Sequence, residues 1–338
     1  MFGMREWANA IDSNCMRKAA LLYNRFSGGG RQDRTSELQA GLQLLKDAGI
    51  EASLIVTASR DDAAEQARRA ILDGADTILA CGGDGTMHDV LQGIAGTRVA
   101  LGVVPLGTAN ALAHDLKVPL NPTQAIRAAL SATPKRVALG TVEFTSLAGQ
   151  REKRYFTVAV GIGVDAHLFY KLHTGTKQRL GMAAYYAKAW HLWFNHRLRY
   201  FAVQCAGPGE LEPGTSLVTE MLAVRIRNFG GVLRELAPGA SLDRSDLRVV
   251  LCQTKSRFAY LAYVTRGLLG MNCKIRGIEL VDSAKICCAY PRATNGTPPS
   301  SERVYVEADG ELIGTLPVEI AMVPDALTLL VPSPQPGG

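Results

Sequence analysis

The chain has 338 residues, of which 47% are hydrophobic and 20% charged, so it is long enough for two domains and has the composition of a folded protein. Its net charge of +6 suits an anionic lipid surface or a nucleotide substrate, but it is too small to indicate nucleic-acid binding. The seven cysteines are scattered without a C-x-x-C pair, which argues against a zinc site and favours a reduced, cytoplasmic compartment. No apolar run reaches the roughly 18 residues of a membrane span, and the amino-terminal segment does not have the pattern of a signal peptide.

Residues 16–133 alternate short apolar runs with amphipathic segments, which predicts an α/β domain with a doubly wound parallel sheet. Strands are predicted at 18–23, 52–56, 77–81 and 99–104, and helices at 35–48, 61–72, 87–94 and within 105–116. Ligands bind such sheets at the carboxyl ends of the strands. Three loops that contain glycine follow strands here, at 24–31, 82–86 and 105–110, and we expect them to converge on one site.

From residue 134 to 331 the pattern changes to many strands with few helices, which predicts a mostly antiparallel β domain. Its predicted strands are 136–144, 155–160, 198–205, 221–227, 247–253, 275–288, 303–307 and 318–323. The last of these strands can return to the first domain. Residues 332–338 are predicted to be a disordered tail.

One helical segment, 179–199, combines five aromatic side chains with four basic ones. Such a helix suits the interface of a lipid bilayer. The alternative is that its aromatic residues pack over the second domain, because an aromatic stripe at helical spacing usually belongs to a core.

The strand at 77–81 is followed at once by Gly82, Gly83, Asp84 and Gly85 and then by a predicted helix. Glycines let backbone N–H groups approach an anion, and a helix amino terminus adds partial positive charge, so this turn predicts a phosphate site. Asp84 fits such a site if a divalent cation lies between the carboxylate and the phosphates. The alternative is an ordinary turn in which Asp84 caps the helix.

A second acidic motif, Asp309-Gly310-Glu311, follows the strand predicted at 303–307. A carboxylate within hydrogen-bond reach of an alcohol can remove its proton during attack on a phosphoryl group. The alternative is a simple hairpin turn, because Asp-Gly is a strong hairpin signal. His88 and His114, which follow the glycine turns, are expected to be partly exposed helix residues and receive no role.

Taken together, these blocks resemble the catalytic-domain family of the diacylglycerol kinases, which includes bacterial soluble lipid kinases and the sphingosine and ceramide kinases. The resemblance rests on GGDGT at 82–86, PLGTANALAHDL at 105–116 and DGE at 309–311, supported by YNRFSGG at 23–29 and VAVGIGVDA at 158–166. These blocks occur in family order over nearly the whole chain. GGDGT alone is also found in NAD kinases and phosphofructokinases, whereas the PLGTxNxxA block separates the lipid kinases from them.

The resemblance implies a nucleotide domain at 16–133, a lipid-binding β domain at 134–331 of the NAD kinase/diacylglycerol kinase type, and ATP-dependent phosphorylation of a lipid hydroxyl with Mg²⁺. Diacylglycerol, a sphingoid base and ceramide all remain candidate substrates. It further implies that Glu311, with Asp309, is the general base. Asp84 would be the metal-binding carboxylate, and Asp165 would contact the lipid headgroup. The implied nucleotide-binding residues are Asn24, Thr57, Gly82, Gly83, Asp84, Gly85, Thr86, Gly107, Thr108 and Asn110.

Two departures from the family pattern affect these expectations. Arg25 follows Asn24 where the first loop usually has proline, and the stretch matching the family's structural magnesium loop, 240–249, has Arg244-Ser245 in place of an Asp-Gly pair. The resemblance therefore implies that this ion is not bound in the usual way, although Asp243 or Asp246 could substitute as ligands.

The expected partners are a membrane lipid substrate and an anionic membrane surface, which the protein would contact peripherally from the cytoplasm. No nucleic-acid partner is expected, and a homodimer is left open. Two alternative functions remain at this point: phosphorylation of a soluble substrate in the manner of a NAD kinase, and non-catalytic binding of a lipid or nucleotide. Retention of Asp84, Asp309 and Glu311 argues against the second alternative.

Overall fold

The computed structural model describes residues 16–25, 34–57, 60–163, 198–206, 214–229, 236–269, 274–291 and 303–333. The predictions for residues 26–31 of the first glycine-containing loop, for Asp165, for most of the segment 179–199 and for residues 334–338 lie outside these residues.

The amino-terminal half contains four parallel strands and five helices in the described residues. In chain order they are β1 (Lys18–Asn24), α1 (Thr35–Asp47), β2 (Glu51–Thr57), α2 (Arg60–Leu72), β3 (Thr77–Gly82), α3 (Asp84–Ile94), β4 (Ala100–Pro105), α4 (Ala111–Asp115) and α5 (Pro122–Leu130). The strand order is β2-β1-β3-β4, and every residue of β3 and β4 is buried because helices cover both faces of the sheet. The predicted parallel α/β architecture is confirmed.

The remaining elements form a mostly antiparallel sheet region with one helix in the described residues. They are β5 (Thr133–Ser146), β6 (Arg151–Phe156), β7 (Ala159–Ile162), β8 (Phe201–Ala206), β9 (Thr215–Val218), β10 (Glu220–Val224), β11 (Leu247–Cys252), α6 (Arg257–Leu269), β12 (Ile278–Ser283), β13 (Lys285–Ala289), β14 (Tyr305–Ala308) and β15 (Glu311–Val331). Their core contains the fully buried rings of Phe144, Phe156 and Phe201. The prediction of a mostly antiparallel carboxy-terminal domain is confirmed.

The long strand β15 connects the two halves of the molecule. Its first part pairs antiparallel with β14 and β13, whereas Thr328 and Leu329 pair parallel with Ala100 and Leu101 of β4. The chain therefore returns to the amino-terminal parallel sheet at its end. The β14–β15 turn and the glycine turn after β3 thus belong to one continuous sheet.

Two predicted strands are each divided in the structure. The strand predicted at 155–160 is interrupted between β6 and β7, and the one predicted at 275–288 separates into β12 and β13 around Ala284. The first division has a physical cause: the backbone N–H groups of Thr157 and Val158 donate to the carboxylate of Asp309 instead of to a neighbouring strand.

Among the helices of the described part, none is long and apolar enough to cross a membrane.

Candidate functional site

The turns after β3 and β4 lie in direct contact, as the sequence predicts. The backbone N–H of Leu106 donates to the carbonyl of Gly82 at 2.8 Å. A Cβ atom added to Gly107 would lie 2.5 Å from Cα of Gly83, so the two turns can meet this closely only because residue 107 lacks a side chain. Gly83 precedes α3 in an extended conformation, and this leaves the first N–H groups of the helix at the edge of the sheet.

Asn110 holds the second turn in shape. Its backbone is left-handed, with φ of 50°, and its side-chain amide makes hydrogen bonds to the N–H and the carbonyl of Gly107 at 2.9 and 2.8 Å. The side chain of Asn110 is thus used to shape the turn, whereas Thr108 is exposed at its tip, and the nucleotide contacts predicted for both residues stay predictions.

Asp84 joins the two turns. It is the first residue of α3, whose cap position is taken by Gly83, and its Oδ1 accepts a hydrogen bond from the N–H of Ala111 at the start of α4, at 2.7 Å. Asp84 is therefore not the N-cap residue that the alternative assumes, and its carboxylate connects α3 to α4. Burial raises the pKa of the Asp84 carboxyl, and the nearby negative charge of Asp309 raises it further, while the bond from Ala111 acts in the opposite direction.

The ends of β1 and β2 lie beside this turn. Asn24 donates from Nδ2 to Oγ1 of the buried Thr86 at 3.3 Å, and Asn24 pairs with Thr57 in the sheet register. Thr57 is itself buried, and its hydroxyl donates to the carbonyl of Tyr23 at 3.3 Å, so its hydroxyl proton fixes the end of β1.

Asp309 and Gly310 form the two-residue turn of a hairpin between β14 and β15. Their φ angles are 49° and 81°, and Ala308 pairs with Glu311 across the turn. Two positive φ angles are the signature of the tight turn that Asp-Gly favours. The backbone at 309–310 is therefore the hairpin turn that the sequence offered as an alternative.

The carboxylate of Asp309 is buried and fully engaged by the protein. It accepts hydrogen bonds from the backbone N–H groups of Thr157, Val158 and Ala159 at 3.0, 2.8 and 3.1 Å. Burial lowers the pKa of the nearby Arg225 guanidinium to about 10, and the charge of Asp309 acts in the opposite direction. A carboxylate held by three backbone donors is suited to fixing a turn, and this favours Glu311 over Asp309 as the group that meets a substrate.

Glu311 is half-buried and lies against the amino terminus of α3. A Cβ atom added to Gly85 would lie 2.7 Å from its Oε1, so the absence of a side chain at position 85 leaves room for this carboxylate. Glu311 and the phosphate-type turn therefore share one site, although they are 226 residues apart in the sequence.

His88 is a site residue that the sequence reasoning missed. It was expected to be partly exposed, but its side chain is only 4% exposed, and Nδ1 lies 3.4 Å from Oδ2 of Asp309. One turn further along α3, the amide of Gln92 makes two hydrogen bonds to the backbone of Tyr155, both at 2.9 Å. The spacing of four residues from Asp84 to His88 to Gln92 was the available signal, because it places all three on one face of the helix.

The loop at 240–249 does not fit a bound divalent cation. The Arg244 guanidinium binds both carboxylate oxygens of Asp246, at 2.6 and 2.9 Å, and one oxygen of Asp282 at 3.0 Å. Lys135 pairs with Asp243. Side-chain cations thus occupy the acidic groups that were candidate ligands for a divalent ion.

The comparisons with known proteins agree with this arrangement. The model of the diacylglycerol kinase catalytic domain matches residues 18–142, and that of the YegS C-terminal NAD kinase beta sandwich-like domain matches residues 158–331. A diacylglycerol kinase of Bacillus subtilis is 30% identical over 307 residues, which cover 90% of this chain and 93% of the relative. One of Staphylococcus aureus is 26% identical over 319 residues, which cover 94% of this chain and 93% of the relative.

Solved structures share the fold. A crystal structure of a diacylglycerol kinase from Bacillus anthracis superposes with a TM-score of 0.67 at 18% identity, covering 94% of this chain and 97% of the other. Yeast NADH kinase complexed with NADH superposes with a TM-score of 0.53 at 10% identity, covering 95% and 85%. The chain therefore belongs to the diacylglycerol kinase family, and it is a kinase of that family.

Proposed function

We propose that this kinase transfers the γ-phosphoryl group of ATP to the primary hydroxyl of a diacylglycerol. The observation that carries the proposal is the position of Glu311 against Gly85, which brings a carboxylate to the turn that is built for phosphate. The names of the curated relatives favour diacylglycerol over a sphingoid base or ceramide.

The nucleotide phosphates would lie on the turn formed by residues 82–86 and the amino terminus of α3. Backbone N–H groups and the partial positive charge of a helix end bind anions without an added cation. Thr108 supplies an exposed hydroxyl at the tip of the neighbouring turn, and Asn24 orients Thr86.

The residues at this turn fit a magnesium ion. Asp84 carries a carboxylate whose charge is poorly solvated and lies near that of Asp309, and a cation would relieve both effects. Within the described residues no group of three or more acidic, histidine or cysteine side chains forms a complete metal cage. This agrees with the usual binding of Mg²⁺ through one or two carboxylates and the substrate phosphates. Such an ion neutralises charge on the transferring phosphoryl group.

The acceptor side of the site is the β14–β15 turn. Glu311 would take the proton of the lipid hydroxyl as that oxygen attacks phosphorus, while Asp309 holds the turn rigid through its three backbone donors. The headgroup contact expected from Asp165 lies outside the described residues and stays a prediction.

The test is phosphorylation of a lipid panel. The purified chain would be incubated with labelled ATP and Mg²⁺ and with diacylglycerol, sphingosine or ceramide in mixed micelles, and NAD would be the soluble control. Labelled phosphatidic acid is the expected product. Labelling of a sphingolipid alone would change the substrate, and labelling of NAD alone would refute the lipid-kinase proposal.

We further propose that the enzyme works as a peripheral protein at an anionic, cytoplasmic membrane surface, as its lipid substrate requires. The net charge of +6 supports electrostatic attraction to such a surface. A homodimer stays a prediction.

His88 gives a prediction about the geometry of this site. Because it touches Asp309 from α3, we expect replacement of His88 by leucine to lower kcat about tenfold or more, while the KM for ATP changes little. Asparagine can place an amide nitrogen where Nδ1 lies, whereas glutamine extends beyond it. We therefore expect His88→Asn to restore most of the activity and His88→Gln to restore less; equal kcat in all four proteins would refute the role.

A further inference from the structure

Among the side chains of α6 that the structure describes, apolar ones lie both on a buried inner face and on an exposed outer face. On the inner face Tyr260 and Tyr263 are buried, and each hydroxyl meets a fixed partner. The hydroxyl of Tyr260 lies 2.5 Å from Oγ1 of Thr219, and that of Tyr263 donates to the carbonyl of Leu236. These two contacts fix which side of the helix points outwards.

The outer face carries large apolar side chains in contact with solvent. Phe258 is 84% exposed and Leu261 is 41% exposed, and Ala262 and Thr265 are exposed as well. The spacing of these residues, i, i+3, i+4 and i+7, places them in one stripe on the helix. A bulky apolar stripe facing water is a common mark of an interaction surface.

Exposed basic residues lie near this stripe. Residues 254–277 contain no aspartate or glutamate and five basic residues, of which Lys255, Lys274 and Arg276 are exposed, Arg257 is half-buried and Arg266 is buried on the inner face. The N–H of Gln253 donates to the carbonyl of Gly277 at 2.7 Å, which brings 274–276 back beside the start of α6. Lys255 also lies 4.6 Å above the half-exposed ring of Tyr200.

The placement of these cations is unfavourable for the helix itself. Positive charges near a helix amino terminus oppose its dipole, and α6 has no acidic residue in its first turn to compensate. The exposed acid on β12, Glu279, lies beside Gln253, whose amide donates to it at 3.1 Å, and its single charge is outnumbered by those of the exposed Lys255, Lys274 and Arg276. An external anion would offset this repulsion.

We propose that Phe258 and Leu261, with Lys255, Lys274 and Arg276 beside them, form a basic apolar patch that docks on an anionic lipid bilayer. This proposal rests on the proposed function and adds the surface through which the enzyme meets its membrane. An apolar stripe inserts at the boundary of the acyl chains, while lysine and arginine reach the phosphate groups of the lipids. Lysine is depleted from protein–protein interfaces, so the composition favours a membrane over a second protein.

The basic apolar patch is also connected to the acceptor side of the site. Ala159 at the start of β7 binds Asp309, and at the other end of the strand a Cβ on Gly163 would lie 2.6 Å from the carbonyl of Thr219, which holds α6. The four residues of β7 span about 13 Å. The docking surface and the turn that carries Glu311 are therefore linked through β7, Thr219 and α6.

The test is the binding of the full chain to vesicles of phosphatidylcholine with and without phosphatidylglycerol. We expect the wild type to sediment with the anionic vesicles and high salt to weaken this. The double variant Phe258→Ser/Leu261→Ser should bind at least tenfold more weakly, because the apolar surface that the two wild-type side chains bury in the bilayer is lost. The matched control is Leu72→Ser on α2, where the leucine is 85% exposed but lies outside the patch. The charge variant Lys255→Glu/Lys274→Glu should lose the preference for phosphatidylglycerol.

The outcomes separate this proposal from the proposed function. The double variant should retain wild-type activity on a short-chain diacylglycerol that is dispersed as monomers and lose activity on the same headgroup in vesicles. Unchanged vesicle binding by the double variant would refute the patch even if the enzyme phosphorylates lipids. Failure of every lipid as substrate would refute the proposed function. The comparison of vesicle binding between the wild type and the double variant would still test the basic apolar patch. A wild-type dimer that the double variant dissociates, without vesicle binding, would identify the patch as a self-association surface and overturn the proposal.

Discussion

Replacement of Asp84 by asparagine is expected to lower turnover by about 10²-fold or more and, at the same time, to raise the temperature of thermal unfolding. The loss of turnover follows because Asp84 is the carboxylate that would hold Mg²⁺ at the phosphates. Asparagine retains an Oδ1 atom to accept the N–H of Ala111, so the link between the two turns is preserved.

The gain in stability follows from the direction of the pKa shift. Burial and the charge of Asp309 raise the pKa of Asp84, so the ionised form is less favourable in the folded than in the unfolded protein. The stability associated with the protonated form is present below the ordinary pKa of 3.8 and is lost as the pH rises through the raised folded value. At pH 7 the wild type carries this cost and Asp84→Asn does not, a trade-off that is common at functional sites.

Asp115 provides the matched control. Burial raises its pKa as well, and it accepts the N–H groups of Arg227 and Asn228 at 2.9 and 3.0 Å, but it lies outside the phosphate turn. Steady-state kinetics should show a loss of turnover for Asp84→Asn and little loss for Asp115→Asn. Calorimetry should show a higher unfolding temperature for both variants, because burial raises the pKa of both carboxyl groups. Mg²⁺ with a non-hydrolysable ATP analogue should raise the unfolding temperature of the wild type more than that of Asp84→Asn. Turnover of Asp84→Asn within tenfold of the wild type would contradict the assignment.

The parallel half of the fold and the phosphate turn could be predicted because their signals are local. Strands β1 to β4 are short apolar runs. Gly83 and Gly107, which lie in contact, belong to turns that follow β3 and β4. Parallel topology then brings these turns to one edge. The position of Glu311 relative to this edge came from the family resemblance, since no local pattern relates residue 311 to residue 85.

The features that were missed depend on distant partners or on weak patterns. The division between β6 and β7 is caused by Asp309, about 150 residues further on in the chain. The helix α6 carries apolar side chains on both faces, so its hydrophobic residues lack the helical periodicity that indicates an amphipathic helix. The length of β15 was underestimated because Pro317 and Pro324 suggest strand ends, whereas in the structure the pairing with β5 shifts register at these positions and continues.

Replacement of Glu311 by glutamine is expected to lower kcat by about 10²-fold or more, because glutamine keeps the size of the side chain but cannot accept the proton of the lipid hydroxyl. Nucleotide affinity, measured separately by calorimetry, should change little, since the proposed contact of Glu311 is with the acceptor hydroxyl and not with the phosphates. Glu319 on the same strand is the matched control: it is exposed and pairs with Arg151 at 2.9 Å, so Glu319→Gln should retain full turnover.

Asp309→Asn distinguishes a base from a group that holds the turn. Asparagine has one oxygen where aspartate has two, so at least one of the three N–H donors at Thr157, Val158 and Ala159 would be left without its acceptor. A buried donor without an acceptor costs about 1–3 kcal/mol, and we therefore expect a lower free energy of unfolding for Asp309→Asn but not for Glu311→Gln. Loss of turnover at Glu311 with unchanged stability and nucleotide binding is the pattern of a general base. Loss of stability at Glu311 as well would mark it as structural, and full activity of Glu311→Gln would exclude it as the base.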